Sequence, residues 1–189
     1  MSDVGQPHDE TSTSSFEEIV RKFEAPLLRY AAHFVSNSDV AQDIVQNAFI
    51  KLSFRWTPDA GRSQAELSAW LYRVTHNLAV DHIRREARRS IFLSRHAVEK
   101  ECEIGENQEA GSISETAEKA AVLLKSLSLR EQQVVTLKVY EERSYQEIAR
   151  ITGLSEGNVG YILHHAMQKL ALAIGNTNAE EGSTDETET

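Results

Sequence analysis

Two groups of side chains in this sequence have the types and spacing for chemistry on a polyanion. The first is Asn158, Tyr161, His164, His165, Gln168 and Lys169, which recur at helical spacing near the C-terminal end. On a helix they share one face. An Asn amide can pair with an adenine edge through two hydrogen bonds, and an imidazole can touch phosphate. The second group is Arg84, Arg85, Arg88 and Arg89, preceded by Trp70, Tyr72, Asn77 and Asp81. Arg84 lies one helical turn from Arg88, and Arg85 one turn from Arg89, so the row can follow a phosphate backbone. Aromatic rings and an Asn upstream suit an unpaired base, held by stacking and edge hydrogen bonds. Trp70 also lines up with Leu67, Leu71 and Val74, which favours a place in the core.

Metal chemistry fits poorly. His76 and His82 fall on different helix faces, Asp39 and Asp43 belong to another segment, and no Glu-x-x-His pair occurs. No metal or cofactor is expected, and no covalent chemistry. The lone Cys102 has no internal disulfide partner, which fits a reducing cytoplasm.

The first group requires a helix-turn-helix. Ser144 and Glu147 have capping-box spacing, so a helix starts there, with Ile148, Ala149 and Ile151 as its apolar side. Gly153 supplies the left-handed residue of a sharp turn, and Ser155 caps the next helix. Val159, Ile162, Leu163, Ala166 and Leu170 form that helix's buried stripe. Such a pair places its second helix in the DNA major groove. Upstream, Ser128 and Glu131 cap another helix carrying Val134, Val135, Leu137 and Val139.

The arginine row requires a long helix capped by Ser63 and Glu66 and running to about Phe92. Before it, Ser15 and Glu18 mark the start of a first helix with Phe16, Ile19, Val20, Phe23, Leu27 and Leu28. Pro26 is expected to kink or restart that helix. A second helix from about Asp39 carries Val40, Ile44, Val45, Ala48, Phe49 and Leu52. Thr57 to Ser63, with Pro58 and Gly61, reads as a loop. No β-type alternation appears. The expected architecture is all-α: two small helical domains joined by a flexible acidic linker, the second containing the helix-turn-helix. Residues 1–14 form a disordered tail, 15–95 the first domain, 96–118 the linker, 119–175 the second domain and 176–189 an acidic disordered tail.

A net charge of −9 over 189 residues argues against binding to DNA until it is located. The excess acid sits in the two tails and the linker. Residues 15–95 hold 12 Lys and Arg against 9 Asp and Glu, and residues 128–175 are balanced at five each. Phosphate contacts are local, so a basic stripe outweighs the total. A neutral helix-turn-helix domain is still a weak DNA binder by itself. No apolar run approaches a membrane span, and the polar N-terminus is not a signal peptide.

Three blocks resemble a known family. DVAQDIVQNAFIKL (Asp39–Leu52), AWLYRVTHNLAVDHIRREARR (Ala69–Arg89) and the stretch from Ser128 to Leu170 resemble, in order and spacing, the sigma-70 family of RNA polymerase sigma factors, in its two-domain extracytoplasmic-function group. The resemblance covers most of residues 15–175. It implies transcription initiation, with core RNA polymerase and promoter DNA as partners, a cytoplasmic location, and room for an anti-sigma factor. By this likeness Asp43, Gln46 and Phe49 lie in the polymerase-docking block. Asn77 with Arg84, Arg85, Arg88 and Arg89 would meet the −10 element. Ser155, Asn158, Tyr161, His164 and His165 would meet the −35 element. Gln42 and Asn47 stand where the family more often has acids. Gly160 and Ile162 stand where it often has Lys or Arg, which implies a weaker or differently specific −35 contact. A stand-alone helix-turn-helix regulator is the competing reading, and it leaves the first half without a role.

Overall fold

The computed structural model describes residues 10–55, 63–96, 123–124 and 126–181, and every regular element among them is helical. The expected loop at 57–62, residues 97–118 of the expected linker and Cys102 lie outside the described residues. The chain divides into two compact units, Met1–Ala79 and Val80–Thr189, with the division falling inside the third helix.

In the first unit α1 spans Glu10–Ala32, α2 spans Ser38–Ser53, and α3 runs from Gln64 to His96, across the division. The start expected at Ser15 is corrected to Glu10: a Ser-x-x-Glu spacing is also one ordinary turn inside a helix, and here it is that. The helix also runs on through Pro26. Phe23, Leu27, Tyr30 and Ala31 are buried on both sides of the proline, and this packing outweighs the one hydrogen bond that proline cannot donate. Asn37 caps α2, its Oδ1 accepting from the amides of Asp39 at 2.8 Å and Val40 at 3.2 Å. Ser63 and Glu66 form the expected capping box of α3, each side chain accepting from the other's amide at 3.3 and 3.0 Å.

The first core is aromatic. The Tyr30 ring meets Phe34 and Tyr72 edge-on, with both centroids at 5.1 Å. Its hydroxyl lies 3.3 Å from Nδ1 of His76. A buried Tyr requires such a polar partner, and His76 supplies it from α3. Trp70 is only partly buried.

In the second unit α4 is Leu129–Val135, and the chain continues as a π-helical turn over Thr136–Tyr140. The wider turn adds a residue to the repeat and rotates the side chains beyond it. Val134, Val135 and Leu137 are buried, while Val139, expected on the same stripe but lying inside this turn, is 51% exposed. α5 is Tyr145–Thr152 and α6 is Glu156–Glu181; both α4 and α5 pack against α6. Leu124, Leu127, Val135 and Ala166 form a cluster, with Leu163 and Leu170 laid against it. Residues 176–181, expected in a disordered tail, are helical. Gly175 alone weakens a helix by about 1 kcal/mol and does not stop one already propagated.

Candidate nucleic-acid interface

The helix-turn-helix is built from local chemistry. Ser144 and Glu147 complete a reciprocal capping box at the start of α5. Gly153 ends it in the left-handed region at φ 74°, its amide donating to the carbonyl of Ala149 at 2.8 Å. Ser155 then caps α6, its Oγ accepting from the amide of Asn158 at 3.3 Å. Ile148, Ile151, Val159 and Ala166 are buried between the two helices and α4. That burial turns Asn158, Tyr161, His164, His165, Gln168 and Lys169 outward, and all six are exposed. Of the expected −35 residues, Ser155 is thus committed to the cap, and Asn158, Tyr161, His164 and His165 share the open face. The Tyr161 and His165 rings are tilted at 57° with centroids 4.3 Å apart, and the His164 ring lies 5.9 Å from that of His165. The fold does not demand Gly157 or Gly160 on this helix. A Cβ at Gly157 would meet nothing within 4 Å, and one at Gly160 only the Tyr145 ring at 3.6 Å.

Sequence reasoning missed a clamp under this helix. Lys169 Nζ donates to Oε1 of Glu131 at 2.6 Å, linking α6 to the start of α4. The same carboxylate accepts from the amide and hydroxyl of Ser128 at 2.9 and 2.7 Å. The partners are 38 residues apart, so no helical spacing could reveal them. Arg130 adds a second tie, donating to the carbonyl of Thr152 at the end of α5 at 3.3 Å. Lys169 therefore braces the reading helix instead of offering a free cation to DNA.

The hydrogen bonds from Lys169 and then Ser128 hold the Glu131 carboxyl at about 2, below its ordinary 4.5. Ser144 lowers Glu147 in the same direction, chiefly through its hydroxyl. A carboxylate with a depressed folded-state pKa contributes stability above its unfolded value and loses it as pH falls toward the folded one. The second unit is therefore expected to lose stability between pH 4.5 and 2. Thermal melts across that window check this, and Lys169→Ala should flatten the response.

On α3, Asn77 and the four arginines are all exposed. A helix advancing about 100° per residue puts Asn77, Arg84 and Arg88 along one line, with Arg85 and Arg89 beside it. Arg85 Nε donates to the carbonyl of Asp81 and Arg88 Nε to that of Arg84, both at 3.2 Å. Among the described residues none of the four arginines is ion-paired with a carboxylate. The row is a cationic ridge. His76, one residue before Asn77, belongs to the aromatic core, and no group of three or more His, Cys, Asp or Glu among the described residues could hold a metal ion.

On α2, Asp43 and Gln46 are exposed. Phe49 is only 8% exposed and lies with the buried stripe. Position 49 falls on the flank of the core-facing side of α2.

Comparison with known proteins agrees with this geometry. The profile of Sigma-70 region 2 matches residues 19–89, and that of Sigma-70 region 4 matches residues 117–170. The RNA polymerase sigma-E factor of Streptomyces avermitilis is 32% identical over 157 residues, covering 82% of each chain. The RNA polymerase sigma factor YlaC of Bacillus subtilis is 26% identical over 169 residues, covering 88% of this chain and 96% of that one. Among solved structures, the sigma factor RpoE of Bartonella quintana, in complex with the anti-sigma factor NepR, shares the fold with a TM-score of 0.61. That similarity has 21% identity and covers 85% of this chain and 97% of that one.

Proposed function

This chain belongs to the sigma-70 family of RNA polymerase sigma factors, in the extracytoplasmic-function group, and from that membership we propose how its parts divide the work. As a sigma factor it binds core RNA polymerase and directs promoter-specific transcription. Sigma factors are initiation factors without enzymatic activity, and in our reading this chain performs no covalent chemistry. The exposed face of α2, with Asp43 and Gln46, docks on the polymerase. Asn77 reads −10 bases, and Arg84, Arg85, Arg88 and Arg89 hold the neighbouring phosphates. Asn158, Tyr161, His164 and His165 read −35 duplex from the major groove, with Ser155 fixing the start of their helix. We assign residues 15–95 to the first function and 119–175 to the second, and place the protein in the cytoplasm, where polymerase and DNA meet. No helix among the described residues is long and apolar enough to cross a membrane. An anti-sigma protein is a further partner suggested by the Bartonella complex.

The observation that carries this reading is the cationic ridge of α3 following an exposed Asn77. A stand-alone regulator has no use for a second nucleic-acid surface built for an unpaired strand. The −35 face carries no unpaired Lys or Arg among the described residues, so affinity for free duplex should be low without polymerase. The test is transcription from a defined promoter with purified core polymerase. Start-site-specific transcripts should appear only when the chain is added. Tight, specific binding to free duplex at moderate salt, with no transcripts, would support the regulator instead.

A further inference from the structure

On α2, Asp39, Asp43, Gln46, Asn47, Ile50 and Phe54 fall along one line of a helix advancing about 100° per residue, and all six are exposed. They lie opposite the buried Ala41, Ile44, Val45, Ala48 and Leu52. Phe54 ends the helix with φ −71° and ψ −17°, so it still follows the helical path. It is 84% exposed, more than any other large apolar side chain among the described residues, and Ile50 one turn earlier is 52% exposed. The face is polar at its start and apolar at its end. Scattered apolar side chains on a surface are ordinary; an aligned pair continuing a docking face is a different arrangement.

We propose that Ile50 and Phe54 are the apolar anchors of the core polymerase interface. This rests on α2 being the docking helix and adds the residues through which it holds its partner. The polar positions Asp43, Gln46 and Asn47 set register along the partner surface. Ile50 and Phe54 extend the contact toward the end of α2 and supply its buried centre. Aromatic anchors ringed by polar groups dominate the affinity of protein interfaces. A Phe buries about 150–250 Å² when covered, and Phe54 gains almost none of this in the free chain. The polymerase is the occupant because the pair is continuous with the polymerase-facing polar row. A second copy is a poor occupant, since it would bring together two chains of net charge −9.

The experiment titrates the full-length protein with purified core RNA polymerase. Ile50→Ser and Phe54→Ser should each weaken binding tenfold or more, and Phe54→Leu should fall in between. Melting temperatures should stay unchanged, because neither side chain supports the core. Leu172→Ser, 71% exposed but on α6, should bind like the wild type. If both serine variants bind within twofold of wild type while Asp43→Ala weakens binding, the anchors are wrong and the docking helix stands. If the wild type does not bind core polymerase, the docking reading itself fails. If Phe54→Ser dissolves a homodimer and leaves polymerase affinity intact, the patch belongs to a second copy and the proposal is overturned.

Discussion

Replacing Arg84, Arg85, Arg88 and Arg89 together by Ala is expected to weaken the promoter complex by a hundredfold or more at moderate salt. The four guanidinium groups are exposed and carry no carboxylate partner among the described residues, so the loss falls on DNA and not on the fold. Each phosphate contact releases about 0.7 to 0.9 of a counterion. If all four touch phosphate, the slope of log affinity against log salt should flatten by about 3. The loss should be similar on promoters that differ only in the −10 bases, because phosphate carries no sequence. Asn77→Ala should behave in the opposite way, with a smaller mean effect that depends on the −10 sequence and leaves the slope alone. Affinity for core polymerase should not change, since α2 is untouched. A large loss with an unaltered salt slope would mean that the ridge acts through polymerase or through the fold, and not on the DNA backbone.

How much of this was legible beforehand varies with the range of the interaction. The capping boxes at Ser63, Ser128 and Ser144 and the left-handed Gly153 were readable because each closes within one turn of helix. The outward face of α6 was readable because its complement, Val159, Ala166 and Leu170, repeats with helical period. The errors come from other causes. Ser15 has capping-box spacing inside a helix, where spacing alone cannot mark a start. Val139 left its stripe because a π-helical turn changes the period that the reading assumed. The Glu131–Lys169 clamp and the Tyr30–His76 pair join segments 38 and 46 residues apart. Such contacts exist only once the helices have packed.

Ile148→Ala is expected to abolish −35 recognition without removing polymerase binding. Ile148 is fully buried in α5, where it helps set the angle between α5 and α6. Truncating such a side chain costs about 2–5 kcal/mol, the transfer loss together with the cavity left behind. Small domains have total stabilities near the low end of about 5–15 kcal/mol, so this change consumes most of what holds the helix-turn-helix together. Ile148→Val, at about 0.5–1.5 kcal/mol, should leave it folded. The two variants therefore separate cavity formation from any change at the surface, since neither alters a residue that faces DNA. Hydrogen exchange should show protection lost across residues 128–174 in Ile148→Ala and kept in the first unit. Transcription should lose its dependence on the −35 element, while core polymerase is still bound through α2. If Ile148→Ala unfolds both units together, the two do not fold independently and the division of labour between them must be redrawn. If it keeps full −35 dependence with protection lost, DNA recognition does not run through α6.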